Sequence, residues 1–167
     1  MSVELQVLQL RAHKGHTQNH GPSGSIPLAD IGRNCFLLAE IRFIIDGKLV
    51  AVPGVRSMGE YYADVFLAGL VNALTELRNT DPLEVELAYH YDQGEPIMRV
   101  SRSADSATLS LIEDEGRGDR WDFECRFDEF EAACEEALAF TRGLLVQHAG
   151  SKGERYFQEC ILNRSKA

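Results

Sequence analysis

Stretches in which hydrophobic and polar residues alternate recur along the chain and predict β-strands. The clearest is W-D-F-E-C-R-F at 121–127, where aromatic residues and Cys125 alternate with Asp122, Glu124 and Arg126. A period of two places alternate residues on opposite faces of a strand, so this strand is predicted to have one buried face and one charged face. Alternation or short apolar runs predict further strands at 2–12, 35–45, 48–52, 83–91, 97–102 and 107–113.

Between residues 57 and 77 the pattern changes to the period of a helix. Apolar residues recur at intervals of three and four, which predicts an amphipathic helix of about 21 residues. Ser57, followed three residues later by Glu60, has the spacing of a capping box at the helix start. Asp64 falls on the side opposite the apolar residues and is therefore expected to face solvent.

A second helix is predicted directly after the strand at 121–127. Asp128 and Glu131 have capping-box spacing, and the apolar residues that follow recur at helical intervals up to His148. The remaining tail, 149–167, contains Tyr156, Phe157, Cys160 and Ile161, which indicates a short helix docked on the rest of the protein.

The order of these elements predicts an α+β fold in a single domain spanning 1–167. Strands joined by tight turns, such as the one at Asp46-Gly47, form antiparallel pairs, and helices follow blocks of strands instead of alternating with them. We therefore expect a largely antiparallel sheet of about six to seven strands, with the two long amphipathic helices packed on one face and the short C-terminal helix beside them. Residues 13–33, rich in glycine and proline, are predicted to form a long polar loop.

Charge is concentrated in one part of the chain. The formal net charge is −9, and residues 105–136 alone contain twelve acidic residues and three arginines. Such a surface repels nucleic acid and anionic membranes but attracts a basic protein; alternatively, it serves only to keep the protein soluble. The predicted partner-binding residues are the acids of this segment: Glu113, Asp114, Glu115, Asp119, Glu131, Glu135 and Glu136.

Motifs for catalysis or cofactor binding are missing from the sequence. It contains neither a glycine-rich nucleotide loop nor a G-x-S-x-G nucleophile elbow. No catalytic residue and no cofactor is therefore predicted. The competing hypothesis is a small-molecule-binding or metal-binding domain that uses His13, His16, His20 or His90, since three histidines can hold zinc. Glycines and prolines around the first three histidines argue against the helix that would align them.

The expected compartment is the cytoplasm. The four cysteines include no C-x-x-C pair, which is typical of free thiols in a reducing environment. The chain starts without the basic and apolar segments of a signal peptide. No apolar run approaches the roughly 20 residues that a membrane-spanning helix needs.

The order of strands, hairpin, helix, strands and helix, together with W-D-F-E-C-R-F-D-E-F-E-A-A-C-E-E-A-L at 121–138, resembles small bacterial immunity proteins of polymorphic toxin systems, of the WapI type. The resemblance covers residues 1–147 at the level of topology. It implies a non-enzymatic protein that blocks a cognate toxin by covering its active site, and it carries over no catalytic residues. A homodimer formed by pairing of sheet edges is a third possibility.

Overall fold

A computed structural model describes residues 2–14, 25–50, 61–79, 83–88, 96–114 and 119–164. The strands in these ranges are β1 Val3–Lys14, β2 Ser25–Ile26, β3 Cys35–Ile45, β4 Lys48–Val50, β5 Tyr61–Tyr62, β6 Leu83–Ala88, β7 Pro96–Ser103, β8 Ser106–Asp114 and β9 Asp119–Arg126. The helices are α1 Ala63–Asn79, α2 Phe127–Ala149 and α3 Ser151–Tyr156, with a 3-10 turn at Leu28–Asp30 and a π-helical turn at Phe157–Leu162.

The strands form two antiparallel sheets, and the prediction of one sheet of six to seven strands is wrong. In the first sheet the order is β2-β1-β3-β4, and β5 also pairs with β3. In the second sheet the order is β6-β7-β8-β9. The α+β class and the antiparallel pairing are confirmed.

Two local features of the first sheet follow from the residues. The register between β1 and β3 shifts between Leu8 and Arg11, where Gln9 has a positive φ of 53°. The apolar residues of this segment change phase from Val3, Leu5 and Val7 to Leu8, Leu10 and Ala12, and a β-bulge accounts for such a change. Asp46 and Gly47, with φ of 51° and 73°, join β3 to β4, because a two-residue hairpin of this kind needs positive φ at both central positions.

The predicted polar loop at 13–33 is more regular than expected where the structure describes it. His13 and Lys14 complete β1, residues 25–26 form β2, and a 3-10 turn follows at 28–30. Ile31, directly after this turn, is 1% exposed and belongs to the core. Residues 15–24 lie outside the described residues.

Both long helices pack against strands of both sheets, which corrects the expectation that they share one face of a single sheet. Helix α1 contacts β3 and β5 of the first sheet and β6 and β7 of the second, whereas α2 contacts β1, β8 and β9. The alternate residues of the strands that face the helices are buried, and they form one cluster with the helix side chains. Its largest fully buried members are Phe43, Phe66, Phe130, Ile31, Leu37, Leu67, Leu70, Leu77 and Leu109.

The helices begin and end differently from the prediction. Helix α1 begins at Ala63, after the short strand β5, and the predicted cap Ser57 lies outside the described residues. Helix α2 begins at Phe127 and has no side-chain cap. Glu131 forms an ion pair with Arg78 instead, so the capping box expected at Asp128 is absent.

Arg102 holds the junction between the second sheet, the end of α1 and the start of α2. Its guanidinium donates hydrogen bonds to the carbonyl oxygens of Leu77, at 2.7 Å, and Ala104, at 2.9 Å. It also lies 3.9 Å from the centre of the Phe127 ring. A cation at the C-terminal end of a helix interacts favourably with the helix dipole, and its contact with the ring adds a cation–π attraction.

After α2 the chain reverses direction at Gly150, whose φ is 56°, and α3 returns along α2. Gly153 makes this close return possible, because a Cβ at this position would collide with the backbone carbonyl of Leu145. Tyr156, Phe157 and Ile161 are each at most 3% exposed. The short docked helix expected in the tail is thus confirmed.

Candidate protein-binding surface

The predicted acidic residues of the second sheet lie at one end of the β8–β9 hairpin. Glu113 and Asp114 are the last two residues of β8, and Asp119 is the first of β9. The register makes Asp114 and Asp119 cross-strand partners. Glu115 lies outside the described residues. These acids therefore share one end of the sheet, which we call the hairpin tip.

The predicted acids of α2 lie near the opposite end of β9. Helix α2 follows Arg126 directly, and the eight residues of β9 span about 25 Å at 3.3 Å per residue. Glu131 and Glu135 pair with Arg78. Arg78 directly follows Leu77, whose carbonyl oxygen accepts a hydrogen bond from Arg102 near that same end of the sheet. The structure therefore divides the predicted set into a hairpin-tip group and a helix group.

Arg78 forms ion pairs with two of the three acids in the helix group. Its Nε lies 2.5 Å from Glu131 Oε1, and its Nη2 lies 2.5 Å from Glu135 Oε1. The two glutamates are four residues apart and so lie on one side of α2. Glu136 is exposed and completes the helix group. Because the single positive charge of Arg78 offsets one of these two negative charges, this group offers a basic partner less free negative charge than its sequence indicates.

Three acids of the second sheet lie outside the predicted set. Glu84, Asp122 and Glu124 are exposed and lie on the face of the second sheet opposite the core. The register aligns Glu84, Ser101, Thr108 and Glu124 as successive neighbours across all four strands. The alternation in 121–127 predicts the charged face of β9, but only the strand order shows that β6 contributes to the same surface.

Hydrogen bonds hold the carboxylates of this face in position. Ser110 Oγ donates to Asp122 Oδ1 at 2.5 Å, and Ser106 Oγ donates to Glu124 Oε1 at 2.8 Å. Arg99 approaches Glu84 at 4.0 Å. We call this surface the acidic sheet surface; it consists of Glu84, Asp122 and Glu124.

Arg126, at the end of β9, adds little positive charge to the acidic sheet surface. Its guanidinium donates two hydrogen bonds to the Asp128 carboxylate, at 3.0 Å and 2.7 Å. The arginine lowers the pKa of Asp128, so this pair stays ionised and self-neutralised over the physiological range.

The cysteines are poor candidates for a nucleophile. Cys125 is 2% exposed, and burial raises its pKa to about 11. Burial also raises the pKa of Cys134, which is fully enclosed, and that of Cys160. Nucleophilic attack requires the thiolate, which these environments disfavour. All four cysteines are free thiols.

The histidines proposed as metal ligands do not assemble in the described part of the chain. His13 lies within β1, paired with Ser25 and Phe36 in the neighbouring strands, and its Nδ1 is 3.0 Å from the carbonyl oxygen of Lys14. His16, His20 and His90 lie outside the described residues. Across the described residues, no group of three histidine, cysteine, aspartate or glutamate side chains has metal-binding geometry.

A buried charged network lies away from the acidic sheet surface. Asp64, in the first turn of α1, is 1% exposed and pairs with Arg164 at 2.7 Å. The hydroxyl of Tyr156 lies 3.3 Å from Asp64 Oδ2 and donates to the Cys35 carbonyl at 2.9 Å. Burial raises the pKa of Asp64, and Arg164 partly offsets this rise. The network joins the start of α1 to the C-terminal segment, so we assign it to the fold and not to a binding site.

Comparisons with protein-family models, curated proteins and solved structures yielded no match. In the described ranges, none of the helices combines the length and apolarity needed to cross a bilayer. Function is therefore inferred from the surface chemistry of this chain.

Proposed function

We propose that this protein is a non-enzymatic interaction protein whose acidic sheet surface binds a partner protein with a basic surface. The observation that supports the proposal most is the grouping of three exposed acids, Glu84, Asp122 and Glu124, on the outer face of the second sheet. Fields from grouped carboxylates accelerate encounter with a basic partner and orient it.

The most concrete form of this function is inhibition of a toxin by an immunity-type protein, as the resemblance of the sequence implies. Many toxin active sites that bind nucleic acid are basic, and a rigid acidic sheet is suited to cover such a site because little conformational entropy is lost on binding. The helix group, already paired with Arg78, contributes less in this proposal. The four free thiols favour a reducing compartment such as the cytoplasm for this activity.

The test compares charge reversal on the proposed surface with an equal reversal elsewhere. One variant carries Glu84→Lys, Asp122→Lys and Glu124→Lys. The matched control carries Glu4→Lys, Asp30→Lys and Glu76→Lys, which are exposed positions on other parts of the protein. The first measurement is whether a toxin-like reading frame adjoins the gene of this chain, and its absence would contradict the immunity-type function. The purified product of that frame is the probe, and association is measured by interferometry at low and high ionic strength.

We expect the sheet variant to slow association by at least about tenfold at low salt, while the control changes it less than about threefold, because nearby charges steer the encounter and distant ones are screened. The advantage of the wild type should shrink at high salt. Equal effects of the two variants would show that only net charge matters, and would overturn the assignment of the surface. A toxin-like domain that does not bind the wild type would contradict the immunity-type function.

A further inference from the structure

We draw no further inference here: the strongest candidate, the exposed apolar side of α2 at Phe140 and Val146 with the open groove beside it between α2 and the C-terminal segment, carries nothing, because Arg142 in that groove is already bound by Glu154 and nothing in the structure shows what covers it.

Discussion

Two ion-pair networks connect helix α1 to the second half of the chain, and they differ mainly in burial. In the first, Asp64 and Arg164 pair at 2.7 Å with side chains 1% and 28% exposed. In the second, Arg78 pairs with Glu131 and Glu135 at 2.5 Å, with side chains 41%, 29% and 59% exposed. The distances are similar. Desolvation therefore decides what each network contributes, since a buried charge that loses its partner cannot be hydrated again.

The largest effect is expected from Arg164→Ala. This change leaves the Asp64 carboxylate buried without its countercharge, and breaking such a pair costs about 3 kcal/mol of unfolding free energy. Urea denaturation at neutral pH measures the loss. Asp64→Asn should cost less, because the stranded Arg164 side chain is partly exposed and can reach water. A smaller loss in Arg164→Ala than in Asp64→Asn would contradict this account of the buried network.

Gly153→Ala should be the next most destabilising, at about 2 kcal/mol, because the new Cβ collides with the Leu145 carbonyl and overpacking typically costs this much. The collision also displaces α3, and with it the Tyr156 hydroxyl that lies 3.3 Å from Asp64 Oδ2. Gly143→Ala is the matched control, and it should stabilise the helix by up to about 1 kcal/mol. Thermal melts of the two variants compare these effects. Effects of the same sign would show that the tight return of α3 is not required.

Lowering the pH should reduce the loss of unfolding free energy caused by Arg164→Ala. The pKa of Asp64 in the folded protein is raised above its ordinary value of 3.8, so the folded state holds the proton more tightly than the unfolded state. Asp64 therefore contributes stability below its unfolded pKa, and this is lost as pH rises through its folded pKa. Removing Arg164 raises the folded pKa further. The difference in unfolding free energy between wild type and variant should be smaller near pH 4 than near pH 8, and a difference independent of pH would exclude Asp64 as its source.

The smallest effect is expected from Arg78→Ala, which removes the exposed network. Pairs of this exposure contribute less than about 1 kcal/mol, and salt screens them. Denaturation in low and high salt should show a small loss that shrinks as salt increases. A loss as large as that of Arg164→Ala would show that burial does not separate the two networks.

Local sequence patterns predicted the type and the buried side of most elements, but not the elements against which they pack. The buried side of α2 was predicted from spacing alone, and Phe130, Ala133, Cys134 and Thr141 are buried as expected. His148 was included in that prediction and is exposed, because the helix ends at Ala149 and the chain turns away at Gly150. The period of a pattern shows which side of an element is buried only as far as the element itself continues.

The candidate surface was predictable only in part, because charge density and alternation are local signals. The charge density along 105–136 indicated the hairpin tip and α2. The alternation in β9 predicted that Asp122 and Glu124 lie on its charged face. The pairing of Glu131 and Glu135 with Arg78, more than fifty residues away in sequence, could not be read from either feature. Nor could the contribution of Glu84, which depends on the order of the strands.

The sequence by itself determined the element types, the buried side of most elements, the hairpin at Asp46-Gly47 and the bulge in β1, since turn chemistry and periodicity act over a few residues. Tertiary structure alone decided that the strands divide into two sheets and that both helices contact both of them. It also decided that Asp64, expected on the solvent side of α1, is buried. These outcomes depend on which surfaces meet across long stretches of chain, and the period of a pattern does not specify its partner.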